Sequence, residues 1–588
     1  MSDDAQPLAT LLDEASAEDR GTSERAATAL PSDDVSPTGG TPMALDDLYD
    51  RVGRAYGTFG KRPDDDALDE RRVWTDTRLR STVWTVAGVL AGSLLLSLVS
   101  RPTWIHGTAW ASSFRLDTLA VVVWGPLLYI TMARRRLANS VHTYLVLALF
   151  IEAFSETMFR EQGEGGYWDS VLWPAAVAFF GTLKDFSGLP GASLSVFFFV
   201  TIGLLYRAAW AKKRTDSVPP PRFAKNALLL FLGTIVALSA LGLARGGRIE
   251  WVFQQAIYLA QLPLVGLLFL YALRVPNDLA AIGTTVVFVA VVRSLLVIWV
   301  YVAVCMPNGI TALPGKPEWC TTHSDTVLFV SALTILGARA FELRRRKALL
   351  QAVAFGAVIV VGIVLNNRRL AFVSLAMALL VTYLAIDPSR RKRKVTTALA
   401  LLVPLLLGYV LVGAEATSDS PLWKPAKGIS SVFTQRDVSS ISRDIENSNL
   451  IYTLSRNPVL ATGFGHEYEY SPDNPPIDLS DVFKEYRLIA HNGVLWLWST
   501  AGVIGFTLLW LVYPLAGTLA TRAYRRSGTS LERVAALSSL GCVSACVVQI
   551  WGDQGFISYL TMVMFGVAFA VASRLAVREA EAPHAAMA

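Results

Sequence analysis

The sequence predicts an all-α, polytopic integral membrane protein, and three observations carry that prediction. Hydrophobic residues make up 53% of the 588-residue chain and charged residues only 17%, a balance outside that of soluble domains. The apolar residues fall in long continuous blocks, close to the ~20 residues that cross a hydrocarbon core. A β-barrel would show short alternating segments instead. The cations cluster between those blocks, so the net charge of +6 is a topology signal, and no nucleic-acid partner is expected.

In chain order, residues 1–72 are rich in Asp, Glu, Ser, Thr and Pro and lack the apolar core of a signal peptide. They are expected to form an acidic, largely disordered cytoplasmic tail. Within it Leu45, Leu48, Tyr49, Val52, Tyr56 and Phe59 recur at helical spacing. That pattern is either an amphipathic helix over 43–59 or chance patterning in biased chain. Apolar blocks follow at Trp84–Val99, Leu116–Met132, Phe223–Ala244, Val252–Leu273, Leu279–Met306, Leu349–Leu365 and Val395–Val412. Basic clusters punctuate them: Arg71, Arg72, Arg78 and Arg80, then Arg134–Arg136, Lys212–Arg214, Arg344–Lys347, Arg390–Lys394, and Arg522 with Arg525 and Arg526.

The positive-inside rule puts all of these clusters in the cytoplasm, so an even number of spans separates any two. Three apolar stretches, 137–158, 168–183 and 189–210, lie between Arg136 and Lys212, and one of them must not cross. The middle one is the shortest and holds Pro174 and Gly181, which predicts a re-entrant or outward-lying segment packed on protein. The count is then about 14 spans with both termini cytoplasmic. The predicted organisation is an N-terminal transmembrane bundle over 81–413, a large extracytoplasmic loop over 414–490, C-terminal transmembrane helices over 491–577, and a cytoplasmic tail over 578–588.

Cys305 and Cys320 flank a short outward loop, where oxidising conditions let a disulfide persist. Two unpaired thiols are the other reading. Cys542 and Cys546 lie within one span and read as small packing residues. No Cys and His set has zinc-ligand spacing, and no cofactor is expected.

The topology places several polar groups outward against the positive-inside bias. Asn366-Asn367-Arg368-Arg369 tops a hairpin of two spans, and Arg245 and Arg248 sit in another outer loop. Arginine offers permanently charged, bidentate recognition of phosphate; pairing with lipid headgroups is the alternative. His491-Asn492 stands where the long polar interval ends, with Gly502 and Gly505 following. Three helical turns would put Gly502 beneath His491 on one face, next to a smooth groove. Glu152, Glu156, His323, Asp325 and Asp553 are further intramembrane or interfacial titratable groups, functional candidates by default. Trp423, Phe433, Tyr452, Phe464, Tyr468, Tyr470, Phe483 and Tyr486 in the loop suit either sugar stacking or interfacial anchoring.

From Arg443 the chain reads Arg-Asp-Ile-Glu-Asn, then Arg456-Asn457-Pro458, then Thr462-Gly463-Phe464-Gly465-His466, and closes on His491-Asn492 with Gly502 and Gly505. This resembles the O-antigen ligase and polysaccharide polymerase superfamily. There an arginine opens the segment, a Pro and a Gly-x-Gly follow, and His-Asn, nine residues, Gly-x-x-Gly ends it. The family's upstream arginine motif is similar to Arg368 or Arg369 with Leu370-Ala371-Phe372. The chain departs from the pattern in carrying Asn367 where Ser or Thr is usual, in lacking a leucine four residues after the arginine, and in placing Asn447 where an aromatic is common. The likeness covers roughly 349–506.

The resemblance implies a metal-independent glycosyltransferase of the bacterial inner (cytoplasmic) membrane, using an undecaprenyl-diphosphate-linked glycan as donor. The acceptor would be a second lipid-linked glycan or a lipid A core, with membrane lipids around the protein and a chain-length-regulating or flippase protein as a further partner. His491 is then the candidate catalytic base, and Arg368, Arg369, Arg443, Asn492, Arg245 and Arg248 are the candidate substrate-binding residues. The chemistry needs both roles: a base for the acceptor hydroxyl and cations for the developing diphosphate. The competing function is a multispan transporter or flippase, supported by the number of spans and by Glu152 and Glu156. Against it stands the absence of a visible repeat between halves.

Overall fold

A computed structural model describes residues 77–104, 124–126, 129, 137–151, 172–180, 194–211, 219–273, 277–305, 322, 324–366, 368–416, 423, 426–427, 429–430, 438–475 and 487–585. The expected tail, with its segment 43–59, lies outside them, as do Glu152, Glu156, His323 and Cys320 and the side chain of Cys305. The described part is helical without a strand, consistent with an all-α, multi-pass membrane protein.

Sixteen α-helices follow in order: α1 (Thr77–Trp104), α2 (Leu137–Phe150), α3 (Trp173–Phe180), α4 (Val196–Ala211), α5 (Arg222–Ala244), α6 (Ile249–Ala272), α7 (Asn277–Val300), α8 (Asp325–Glu342), α9 (Arg346–Asn366), α10 (Arg369–Ala385), α11 (Arg390–Glu415), α12 (Val438–Arg456), α13 (Gly493–Trp510), α14 (Val512–Arg526), α15 (Ser530–Gly552) and α16 (Tyr559–Ala585). Among the described residues nine helical runs are long and apolar enough to cross a membrane, α13 and α14 counting as one run, and α2, α4 and α10 are shorter apolar helices. The expected count of 14 also includes Leu116–Met132, most of which lies outside the described residues. Of the stretch read as re-entrant the described part is residues 172–180, with α3 over 8 residues. It packs on protein, with Phe179 and Phe180 against Phe197 and Phe180 also against Tyr559.

Helices α6, α15 and α16 form the buried centre, because their apolar residues run around the whole helix rather than along one stripe. By contrast α11 is buried nowhere along its apolar window, a surface suited only to lipid or a partner. Small residues let the central helices approach closely: a Cβ on Gly566 would lie 2.9 Å from the backbone of Gly266. Cys542 and Cys546 point into the α15–α16 interface, each thiol directed at a carbonyl of α16.

Two ends of the bundle are distinguishable by their polar contacts. At one end the Arg533 guanidinium pairs with Glu342 at 3.3 Å and Asp387 at 3.1 Å, and Tyr524 donates to Glu342 at 2.9 Å. Arg391 donates to the Phe341 carbonyl there. These contacts lie beside the Arg344–Lys347, Arg390–Lys394 and Arg522–Arg526 clusters and bring them to one end. At the other end Ser324 and Ser558 meet at 2.6 Å, Asn366 donates to the Thr322 carbonyl, and His491 lies against the turn after α15.

Asp325, a functional candidate in the sequence, is a structural partner here. It forms an ion pair with Arg293 at 2.6 Å, with both side chains almost wholly buried, and Arg293 also donates to the Phe150 carbonyl. A charge at that depth persists only when paired and hydrogen-bonded in this way.

Candidate active site

The site is built on α12, the strap that follows it, and the approach to α13. Along α12 the buried residues Glu446, Asn449, Leu450 and Thr453 recur at helical spacing, so one polar stripe faces the protein. Asn449 accepts from the Ser471 N–H at 2.9 Å and the Asn474 amide at 2.6 Å, and Thr453 accepts from the Glu469 N–H at 2.8 Å. These bonds stitch the helix to the strap over 462–475.

The Gly-x-Gly of the strap has a geometric cause. Gly463 and Gly465 sit at φ +80° and +99°, the left-handed region in which a side chain is strained. A Cβ on Gly463 would stand 2.5 Å from the Gly242 nitrogen, and one on Gly242 would collide with the Phe464 carbonyl. The strap therefore lies directly on the end of the α5–α6 hairpin. Phe464 donates its N–H to Leu238 at 3.1 Å, Arg248 donates its N–H to Gly465 at 3.0 Å, and Gln255 receives the Gly465 N–H at 2.6 Å. Gln255 also donates to the Leu488 carbonyl at 2.7 Å, which ties this hairpin to the segment leading into His491.

His491 is held on several sides. Its Nδ1 lies 3.0 Å from Glu446 Oε2, and its backbone N–H donates to both Glu446 oxygens at 3.2 Å. Its carbonyl accepts from the Gln554 N–H at 2.8 Å. Glu446 is 3% exposed while the His491 side chain keeps 20% exposure, so the carboxylate is walled in and the ring still reaches outward. In the tautomer that donates Nδ1–H to the carboxylate, Nε2 is the acceptor nitrogen. Asn492 caps α13, its side-chain oxygen accepting from the Leu495 N–H at 3.1 Å.

The four-residue turn Gly552-Asp553-Gln554-Gly555 gathers three of the sequence-predicted groups. Gln554 holds His491, Asp553 pairs with Arg443 at 3.7 Å, and Gly552 carries Leu370, the residue next to Arg369, with 2.5 Å between a would-be Cβ and the leucine Cδ1. Arg443 is 40% exposed, and Arg368, the N-cap of α10, and Arg369 are half-buried. Arg443, Leu370 at the start of α10 and His491 thus converge on one turn although the chain separates them widely.

Arg245 and Arg248 stand elsewhere, in the turn between α5 and α6. Arg245 donates to the Ala461 carbonyl, fastening the strap. The Arg248 guanidinium lies 4.4 Å over the Trp251 ring and 3.3 Å from Glu250. Among the loop aromatics Phe464 is fully buried and stacks on Trp496, so it neither anchors at an interface nor reaches a sugar. Tyr468 is also buried, and its phenol is pushed far above the ordinary tyrosine value, first by that burial and then by the neighbouring Glu446. Trp423 stacks on Tyr409 of α11; Phe433, Phe483 and Tyr486 lie outside the described residues.

One geometric expectation fails. His491 and Gly502 do not share a helix face, because α13 starts at Gly493 and breaks at Gly502, whose φ of +64° and ψ of 179° only glycine adopts comfortably. The break lets the Pro458-Val459-Leu460 turn dock: Val503 donates to the Pro458 carbonyl at 2.8 Å, and a Cβ on Gly502 would collide with the Val459 carbonyl. Gly505 does serve close packing, since its Cβ would meet Leu238 of α5 at 3.1 Å.

Sequence reasoning missed Glu446, Gln255 and Gln554 and ranked Asp553 low. A signal for Glu446 was present, since it follows Arg443 by three residues and so shares its helix face. Nothing local marks Gln255 or Gln554, and Asp553 was marked only as a titratable group near the interface. Among the described residues no group of three or more His, Cys, Asp or Glu could hold a metal ion.

Comparison with curated proteins found no match. Residues 354–510 match the family described as O-Antigen ligase. The matched stretch runs from α9 to the end of α13 and includes Arg368, Arg369, Arg443, Glu446 and His491; the turn bearing Asp553 and Gln554 lies outside it. Over residues 354–510 the chain is therefore similar to the O-Antigen ligase family, which supports the resemblance to the O-antigen ligase and polysaccharide polymerase superfamily read from the sequence.

Proposed function

We propose that the protein is a membrane glycosyltransferase that moves a glycan from a polyprenyl-diphosphate carrier, undecaprenyl diphosphate in a bacterial inner membrane, to an acceptor hydroxyl at the outer face. The observation that carries this reading is the convergence of His491, Arg443 and the start of α10 on the turn 552–555, within and beside the stretch similar to the O-Antigen ligase family. The end of the bundle bearing this site is opposite the one that gathers the basic clusters, which the positive-inside rule assigns to the cytoplasm.

In this mechanism the residues divide into a base and an anion site. Glu446 holds Nδ1–H of His491, so Nε2 takes the proton of the acceptor hydroxyl as its oxygen attacks the anomeric carbon. The bond from that carbon to the carrier diphosphate breaks, and the diphosphate leaves with the electron pair. Arg443, with Arg368 and Arg369 at the positive end of the α10 dipole, stabilises the charge that develops. Asp553 limits the freedom of Arg443 and is a positioning residue. Asn492 orients His491 by capping α13, and Arg245 keeps the strap in place behind it.

The acceptor is a lipid-linked glycan or a lipid A core, and the two outcomes are distinguishable in cells. In a strain lacking the gene, single repeats without long chains mark a polymerase, whereas long lipid-linked chains that never reach lipid A mark a ligase. For the reaction itself, His491→Ala protein reconstituted with lipid-linked donor and acceptor is expected to lose transfer while keeping its level in the membrane. Full transfer by that variant removes the base assignment.

A further inference from the structure

At the end of the bundle opposite His491, helices α7, α8, α15 and α16 leave a cavity of about 130 Å³, partly open to the surroundings. Its walls include Leu279 to Val286 of α7, Ile335 and Arg339 of α8, Leu531 to Cys542 of α15 and Met564 to Val571 of α16. Packed interiors hold few voids larger than a water, and a hollow this large forfeits the dispersion contacts of its lining. Small residues create it: Ala280, Gly283, Ala535, Ser538 and Ala568 occupy positions where neighbouring helices meet. A Cβ on Gly283 would have a single neighbour, Ile335, at 3.8 Å.

The lining is apolar apart from a few hydroxyls and a thiol, and Arg339 is its one charged residue among the described residues. That pattern rejects a polar metabolite and suits a hydrocarbon chain with an anionic head. From Leu531 to Cys542 the wall is about 16 Å long at 1.5 Å per residue, close to half of a ~30 Å hydrocarbon core. Arg339 lies in the last turn of α8, toward the end of the bundle where Arg533 pairs with Glu342 and Asp387. The site at His491 is distant, since Leu531 and Asp553 lie about 33 Å apart along α15.

We infer that this cavity is a binding site for an anionic glycerophospholipid of the leaflet on the basic side, with one acyl chain between α7 and α15 and the phosphate on Arg339. The occupant is drawn from the surrounding bilayer, because the cavity is partly open, α7, α15 and α16 in its wall are long and apolar enough to cross a membrane, and Arg339 complements an acidic headgroup. The inference is independent of the transfer reaction.

The test uses the full chain in nanodiscs of phosphatidylethanolamine and phosphatidylglycerol with a trace of phosphatidylglycerol carrying a diazirine in one acyl chain. After illumination, adducts are mapped by peptide mass spectrometry and normalised to those on the lipid-facing helix α11. Adducts are expected in residues 279–286 and 531–542. Gly283→Leu and Ala535→Leu, which fill the cavity from opposite walls, should each lower the normalised yield there at least fivefold. Arg339→Gln should abolish the preference for this probe over a phosphatidylcholine analogue. Two filling variants guard against misfolding of either one, with a monodisperse elution profile as the criterion. Wild-type yields in both filling variants, or no adducts in those segments, overturn the proposal. Stronger competition by a polyprenyl phosphate than by unlabelled phosphatidylglycerol overturns the choice of occupant.

Discussion

Glu446→Gln separates the orientation of His491 from its presence. The carboxylate accepts from His491 twice over, at the backbone N–H and at Nδ1. The amide is the same size and can still receive the backbone N–H through its oxygen. Its NH₂ group then faces Nδ1 and can only donate, so the favoured tautomer puts the ring proton on Nε2, where the acceptor hydroxyl must be deprotonated. General-base catalysis contributes ~10²–10⁴ in rate, equivalent to about 2.7–5.4 kcal/mol of barrier at 1.36 kcal/mol per decade. The variant should lose most of that factor. Its fold should be nearly unaffected, because the buried stripe Asn449, Leu450 and Thr453 that anchors α12 is untouched. The assay is single-turnover transfer from a lipid-linked donor at saturating acceptor, with thermal unfolding in the same detergent as the control. A Glu446→Gln rate within threefold of the wild type refutes the orientation argument, and Glu446 is then only a structural tie between α12 and the segment before α13.

Other expectations follow, the last of them from the sequence alone. Arg368→Lys and Arg369→Lys, made separately, should differ: one should weaken donor binding by tenfold or more because lysine lacks the bidentate fork, and the other should be tolerated. Equal, wild-type donor affinity in both would mark the pair as headgroup anchors. Gly502→Ala should destabilise by at least ~1–3 kcal/mol, since it combines a disallowed backbone with a collision at the Val459 carbonyl; an unchanged unfolding temperature would contradict the kink. Cys305 and Cys320 are expected to form a disulfide outside the cytoplasm, so an impermeant maleimide should label them only after reduction. Labelling of both without reductant would exclude the bridge.

Chain chemistry by itself determined the class of this protein and marked several of its candidate reactive groups. Apolar blocks of membrane length and basic clusters between them need no tertiary knowledge, because each helix satisfies its own backbone in lipid and charge bias acts on each short loop. The same holds for His491 and Arg443, whose local surroundings Arg-Asp-Ile-Glu-Asn and His-Asn are visible in the linear chain. The tertiary structure alone decided what those groups touch. Glu446 meets His491 across 45 residues, and Asp553 reaches Arg443 from another helix altogether, contacts that no local spacing encodes. It also decided the meaning of the glycines. Gly502 looked like part of a smooth helix face, but the Pro458 to Leu460 turn presses on the helix there and forces a backbone open only to glycine. Local sequence sets which residues can form a helix or titrate, whereas a kink or an ion pair depends on which surface arrives from elsewhere in the chain.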